Sequence, residues 1–213
     1  QWFYPWQVRL LVTLRVNKLL SPINKIVADR QSAQGLGDPN ANICYLALSN
    51  CNNPSIRTLV MRNISEAGFT LFVNKTSEKW RILESNKRAE LLLWFSTVQR
   101  QYRVKGIIKE LDRESIEANW PRRPTGSKYL DYAYQNFRQQ SRPIESYAAL
   151  AQHNQDFKQE NPEEFLTIPE TATGLRLAPE EIEMLDLNDP NQIHDRRLFL
   201  RDHDKWIASQ IMP

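Results

Sequence analysis

Cysteine is scarce in this sequence of 213 residues, and its two cysteines, Cys44 and Cys51, show no CxxC spacing. Two cysteines are too few for a disulfide framework, and their spacing excludes the common zinc and redox motifs. We therefore expect two free thiols in a reducing compartment and predict a cytoplasmic protein. Glycine is also scarce, with six residues, which disfavours folds built around glycine-rich phosphate loops.

Long hydrophobic runs are lacking too, since no apolar stretch approaches the ~18 residues of a membrane span. Residues 1–20 mix tryptophan and arginine with leucine and valine, which favours a helix docked on the same protein over a signal peptide or a membrane-surface helix. The net charge of +3 argues against binding driven by the phosphate backbone of nucleic acids. Residues 100–142 interleave basic and aromatic residues but also carry acids, so we expect no nucleic-acid and no membrane partner.

Several catalytic motifs are missing from the sequence. It contains no GxGxxG, no GxxxxGK[ST], no HExxH and no GxSxG pattern. The histidines His153, His194 and His203 are far apart in sequence, so we predict no metal site.

The hydrophobic pattern predicts a mainly β protein with inserted helices. Few places allow a helical crossover between parallel strands, so we predict an antiparallel barrel with peripheral helices. An N-terminal helix and loop (1–38) would pack on a barrel domain (39–213). The predicted helices are 6–27 (cut or bent by Pro22), 76–85, 113–120, 128–138 (opened by Ser127) and 145–159, with loops at 30–41 and 161–173. The predicted strands are 43–48, 56–62, 69–73, 91–95, 101–111, 175–177, 182–185, 197–200 and 206–211.

Two polar clusters in the first half of the chain could bind an anion. A strand carries Arg57 and Arg62, which would point to opposite faces and could serve one ligand only where the strand ends or twists. Lys79 follows Thr76 and Ser77, either of which could cap a helix whose free N–H groups suit a phosphate. Solvent-exposed arginines and a surface Lys–Glu pair are the alternatives.

Two further clusters lie in the second half. Arg122 and Arg123 precede a Pro/Gly turn and Ser127, a combination that can bind a phosphate through guanidinium, hydroxyl and helix N–H groups. Gln192, His194 and Arg196 would share one face of an extended segment. A histidine there could hold or release a proton near neutral pH. The alternatives are a solvated loop and a surface strand, but together the four clusters suggest two phosphorylated ligands.

The order of these clusters resembles the pyridoxine/pyridoxamine 5′-phosphate oxidases over roughly residues 39–213. The stretches that carry the resemblance are RTLVMR (57–62), GFTLFVNKTSEK (68–79), RQYRVKG (100–106), RRPTGS (122–127), QQS (139–141), IE (182–183), IHDR (193–196) and the end from Trp206 to Pro213.

The resemblance implies a homodimeric FMN-binding split barrel, with FMN in clefts between the subunits. Such a protein would oxidise pyridoxamine or pyridoxine 5′-phosphate to pyridoxal 5′-phosphate in pyridoxine biosynthesis, with O2 as the acceptor. The resemblance implies catalytic roles for His194 and Arg62. The implied substrate contacts are Arg62, Asn119, Arg123, Ser127, Gln192 and His194. The implied FMN contacts are Arg57, Thr58, Leu59, Val60, Met61, Arg62, Phe72, Val73, Ser77, Glu78, Lys79, Gln101, Gln140, Ser141, Leu185 and Arg196.

The sequence departs from the family pattern at five positions. Arg62 stands where the family has Lys, and Asn119 where it has a Tyr that contacts the substrate phosphate. Gln192 replaces an Arg, Leu185 a flavin-contacting Trp, and Glu78 an Arg. FMN-phosphate binding therefore looks better preserved than substrate handling. The alternatives are an FMN- or pyridoxal-phosphate-binding relative without oxidase activity and a flavin-reductase-like enzyme with another substrate.

Overall fold

The computed structural model describes residues 21–50, 53–188, 190 and 193–213. Within them, the helices are α1 (Pro22–Gly35), α2 (Glu78–Ser85), α3 (Arg113–Asn119), α4 (Thr125–Asn136) and α5 (Tyr147–Glu160), with short 3₁₀ helices at Trp120–Arg122 and Glu163–Phe165. The strands are β1 (Ile43–Asn50), β2 (Asn53–Val60), β3 (Asn63–Ser65), β4 (Gly68–Asn74), β5 (Arg88–Phe95), β6 (Arg100–Glu110), β7 (Ala172–Asp186), β8 (Asp195–Asp202) and β9 (Lys205–Gln210).

These strands form one antiparallel sheet in the order β2-β1-β5-β6-β7-β4-β3, with β8 paired to β7 and β9 paired to β8. The described strands do not close into a full barrel, so the fold is a split barrel with peripheral helices, as the sequence predicts. Long strand β7 links the two parts of the sheet, because its first half pairs with β4 and its second half with β8.

A β-bulge lets β6 and β7 bend together. The register shifts between Lys105, which pairs with Glu181, and Gly106, which pairs with Pro179. A Cβ on Gly106 would lie 2.0 Å from the backbone oxygen of Ala178, so this close approach requires glycine. The two predicted strands 175–177 and 182–185 are therefore wrong as separate elements. Pro179 interrupts the apolar pattern, but a bulge tolerates a residue without an N–H.

Helix α1 corrects the prediction for the N-terminal segment. It begins at Pro22 rather than being cut there, because proline fits the first helical position and the Ser21 hydroxyl accepts a bond from the Ile23 N–H at 3.3 Å. The helix continues to Gly35, so the predicted loop over 30–41 starts too early. The predicted segment 6–20 lies outside the described residues.

An ionic cluster holds α1 against the barrel. The buried side chain of Ile23 in the hydrophobic core also stabilises this contact. The Asp29 carboxylate accepts bonds from Lys25 at 2.9 Å, from Arg100 at 2.9 Å and from the Tyr102 hydroxyl. Burial alone would raise the pKa of Asp29, but these hydrogen bonds outweigh it and hold that pKa below its ordinary value.

The helices after β6 lie close to their predicted places. Asp112 caps α3, whereas α4 begins at Thr125, so Ser127 lies inside its first turn instead of capping it. Ser146 caps α5. None of the helices in the described ranges is long and apolar enough to cross a membrane.

Candidate functional site

A cavity of about 110 Å³, here called the small cavity, lies between β4 and α4. Several residues predicted to contact FMN or substrate line it: Leu59, Phe72, Val73, Lys79, Arg123, Ser127 and Gln140. Asn74, Leu130, Asp131 and Tyr134 complete the lining.

Lys79 is the buried cation of this cavity. Ser77 caps α2 by accepting a bond from the Trp80 N–H, which places Lys79 in the first turn. Lys79 is only 7% exposed, and its Nζ donates to Gln140 Oε1 at 3.0 Å. Burial and the charge of Arg57 lower the pKa of Lys79 to about 8, although Asp131 acts in the opposite direction. The alternative of a surface Lys–Glu pair is therefore wrong.

Arg57 brings a second cation to the same region. It lies opposite the fully buried Leu46, and so points to the inner face of β2. It donates to the Ser55 hydroxyl, but its Nη1 is buried without a hydrogen-bond partner. Burial lowers the pKa of Arg57, and the charge of the exposed Glu78 partly opposes this shift. Two repelling cations with an unpaired buried donor fit the phosphate of FMN.

The remaining predicted FMN contacts of β2 and α2 are placed differently. Thr58 and Val60 are exposed on the face of β2 opposite Arg57, and Met61 is buried in the core. The Ser77 hydroxyl is fully buried and donates to the Asn74 carbonyl at 2.7 Å, so it holds the turn before α2. Ser141 is exposed with a φ of 67°.

A second cavity of about 410 Å³, here called the large cavity, adjoins the first through Phe72 and Arg123. It also contains the predicted substrate residues Arg62 and Asn119. Arg62 follows the end of β2, and its backbone N–H donates to the Thr70 carbonyl at 3.0 Å. Because Arg62 lies beyond the end of the strand, the expectation that Arg57 and Arg62 point to opposite faces of one strand does not apply. Burial and the nearby Arg123 lower its pKa.

Asp131 lines the small cavity and pairs with an arginine that lines both cavities, and sequence reasoning missed it. This carboxylate is 0% exposed and pairs with Arg123 at 2.6 Å. Burial raises the pKa of Asp131, despite the opposing charges of Arg123 and Lys79 and a bond from Asn74. The only signal in the sequence is its position four residues after Ser127, on the same helix face.

The remaining predicted residues gather elsewhere. Gln101, Leu185 and Arg196 are direct cross-strand neighbours on β6, β7 and β8, here called the strand row. Arg196 donates to Glu183 at 3.0 Å. His194 lies just before β8, and its Nδ1 is buried without a hydrogen-bond partner.

Neither the strand row nor His194 lines either cavity in the described structure. The predicted strand face with Gln192, His194 and Arg196 is wrong in part, because β8 starts only at Asp195. Gln192 lies outside the described residues.

Comparison with known proteins identifies the family. A family described as pyridoxamine 5′-phosphate oxidase, FMN-binding domain, matches residues 26–112. The pyridoxine/pyridoxamine 5′-phosphate oxidase of Psychrobacter sp. (strain PRwf-1) is 32% identical over 174 residues, which cover 79% of each chain. The protein of the same name from Rubrobacter xylanophilus is 30% identical over 179 residues, 84% of this chain and 80% of the other.

Two solved structures share the fold. PhzG from Burkholderia lata 383, in complex with tetrahydrophenazine-1-carboxylic acid, aligns with a TM-score of 0.80 at 22% identity, covering 90% of this chain and 92% of the other. A pyridoxamine 5′-phosphate oxidase-related, FMN-binding protein from Nostoc punctiforme aligns with a TM-score of 0.72 at 19% identity, covering 91% and 99%. The chain therefore belongs to the pyridoxamine 5′-phosphate oxidase family and contains its FMN-binding domain.

Proposed function

We propose that the protein is an FMN-dependent oxidase that converts pyridoxamine or pyridoxine 5′-phosphate to pyridoxal 5′-phosphate, with O2 as the acceptor. The observation that carries this proposal is the burial of Lys79 near the charge of Arg57, which lowers the pKa of the lysine, together with the buried donor of Arg57 that has no hydrogen-bond partner. A bound phosphate would satisfy the donor and offset the repulsion.

Each group of residues has its own proposed role. Arg57, Lys79 and Gln140 hold the FMN phosphate, and bound FMN supplies the two-electron chemistry. Arg62 and Arg123 in the large cavity hold the substrate phosphate. His194, whose Nδ1 is buried without a hydrogen-bond partner, has the proposed role of acid–base group toward the substrate.

The division of the predicted site into two groups supports a homodimer with FMN between the subunits. The strand row and His194 of one copy would complete the cavities of the other copy. The outer face of β2 supports this arrangement, because Ile56 and Val60 stand there 68% and 46% exposed. Exposed aliphatic side chains on a paired strand are suited to burial in an interface.

A binding protein without oxidase activity is the second candidate. Asn119 donates its side-chain amide to the Ser115 carbonyl at 2.7 Å, which turns this donor back onto α3 and away from a ligand. A flavin reductase with another substrate is compatible with the same observation.

Anaerobic reduction of the bound flavin tests the proposal. Pyridoxamine 5′-phosphate should bleach the yellow flavin of the FMN-loaded protein, and air should restore it. The variant His194→Ala should keep the flavin but bleach more slowly. Arg57→Ala combined with Lys79→Ala should lose the flavin, whereas Arg113→Ala, which removes an exposed arginine paired with Glu117, is the matched control. A flavin that stays oxidised would support the binding protein or another substrate.

A further inference from the structure

The large cavity carries more positive charge than one phosphate needs. Its lining includes four arginines, and no carboxylate belongs to the described part of that lining. Arg62 and Arg123 account for the substrate phosphate in the proposed function. Arg122 and Arg176 have no assigned partner, and the resemblance gives them no role.

Arg176 lines this cavity from strand β7. On β7 it lies between Leu175 and Leu177, which are 1% and 0% exposed, so its side chain points to the opposite face of the sheet. Its cross-strand neighbour Thr70 also lines the cavity. The Nε of Arg176 is buried without a hydrogen-bond partner, although the charge of the exposed Asp112 at the start of α3 is close enough to interact with it.

An unpaired buried guanidinium N–H is costly, so this position favours an occupant that accepts hydrogen bonds. The exposed Arg122 makes no ion pair with any described residue and lines the same cavity. Arg123 is paired with Asp131 of α4, which anchors its guanidinium toward that helix. Arg176 interacts instead with the charge of Asp112 at the start of α3, so the two guanidiniums are associated with different helices.

We propose that the large cavity binds a substrate with two anionic groups: a phosphate held by Arg62 and Arg123, and a carboxylate held by Arg176, with Arg122 as a further cation in the same lining. A planar guanidinium fork matches a carboxylate in shape as well as charge. This inference rests on the proposed function for the phosphate end, and it narrows the substrate class to acidic derivatives of the phosphorylated pyridine.

Two matched conjugates test the inference on the FMN-loaded protein. N-(5′-phosphopyridoxyl)glycine and its glycinamide analogue have nearly the same size, but only the first carries the carboxylate. Calorimetric titration should show that the glycine conjugate binds about 10-fold to 100-fold more tightly, the gain expected for a charged hydrogen-bonded pair. Arg176→Gln should abolish this preference and leave the Kd of the glycinamide analogue within about twofold.

Two further variants make the result interpretable. Arg176→Lys keeps the charge but lacks the planar guanidinium, so it should retain a smaller preference for the glycine conjugate. It also provides a test if Arg176→Gln does not fold. Arg113→Gln, an exposed arginine change on α3, should keep the full preference. Equal affinities in the wild-type protein, or a preference that survives Arg176→Gln, would overturn the inference.

A second pair of probes separates this inference from the proposed function. Benzene-1,3-dicarboxylate and 3-carbamoylbenzoate differ by one carboxylate and need no phosphate site. If pyridoxamine 5′-phosphate neither binds nor bleaches the flavin, the proposed function fails, and this pair decides the inference. Tighter binding of the dicarboxylate that Arg176→Gln removes supports it, and absence of binding or of preference contradicts it.

Discussion

The depressed pKa of Lys79 makes FMN binding depend on pH in a defined direction. In the free protein this pKa is about 8, compared with an ordinary value of 10.5. Burial and the charge of Arg57 depress this pKa, and a bound phosphate adds an attraction that offsets both, so it should return the pKa of Lys79 toward its ordinary value. Binding then takes up one proton above pH 8, and full restoration predicts a Kd for FMN about 25-fold higher at pH 9.5 than at pH 7.

Few other groups near Lys79 change their charge in this window. Arg57, as an arginine, stays protonated throughout this window, and burial raises the pKa of Tyr134 above its ordinary 10.0. The second ionisation of a phosphate monoester, at about pH 6, is complete below the window. Lys79 is therefore the group whose deprotonation should set the slope.

Fluorescence titration with FMN from pH 7 to 9.5 measures this effect. Riboflavin shares the ring but lacks the phosphate, and so controls for titration of the ring itself. Lys79→Arg keeps a permanent charge and should bind FMN with a flat pH profile. Lys79→Met should bind weakly, also with a flat profile. A wild-type Kd that changes less than about threefold, or an unchanged slope in Lys79→Met, would refute the reasoning.

Three other changes test the structure around the site. Asp131→Asn leaves the buried guanidinium of Arg123 without its counter-ion, so urea unfolding should show a loss of about 3 kcal/mol. Gly106→Ala forces a methyl group to 2.0 Å from a backbone oxygen and should lower the melting temperature sharply, whereas Gly126→Ala meets no atom within 4 Å and should be neutral or stabilising. Ile56→Asp on the outer face of β2 should shift light scattering from dimer to monomer and weaken FMN binding, and an unchanged dimer would contradict the proposed interface.

Much of the barrel could be predicted because several of its strands are short apolar runs bounded by turn-forming residues. Residues 43–48 of β1 are all apolar, which indicates a strand, but only the structure shows that Cys44, Leu46 and Leu48 are the residues that face the core. Strand β7 could not be predicted as one element, since Pro179 falls in its middle. Only the tertiary pairing with Gly106 at the bulge reveals why a proline fits there.

Residues of the candidate site could be predicted where a charged side chain stands next to a recognisable local motif, such as a helix cap. Ser77 is a typical N-cap residue and so predicts a helix start. Lys79, two residues later, is conspicuous because a cation in the first turn of a helix is disfavoured by the helix dipole. Asp131 and Arg176 carry no such signal, because one looks like a surface acid of a helix and the other like an outward residue of a strand. Their importance comes from burial beside residues far away in sequence, which periodicity does not encode.

Charge balance supports the proposal that the two cavities form one functional unit. Among the described residues that line the two cavities, Asp131 is the one acid. The same linings contain five cations: Arg62, Lys79, Arg122, Arg123 and Arg176. A single carboxylate cannot neutralise this set, and its own raised pKa shows that burial already opposes its charge. The excess of positive charge in these linings favours the binding of anionic ligands. Because the cations divide between adjoining cavities, two separate anionic ligands meet this demand better than one, as expected for a phosphorylated cofactor beside an acidic substrate.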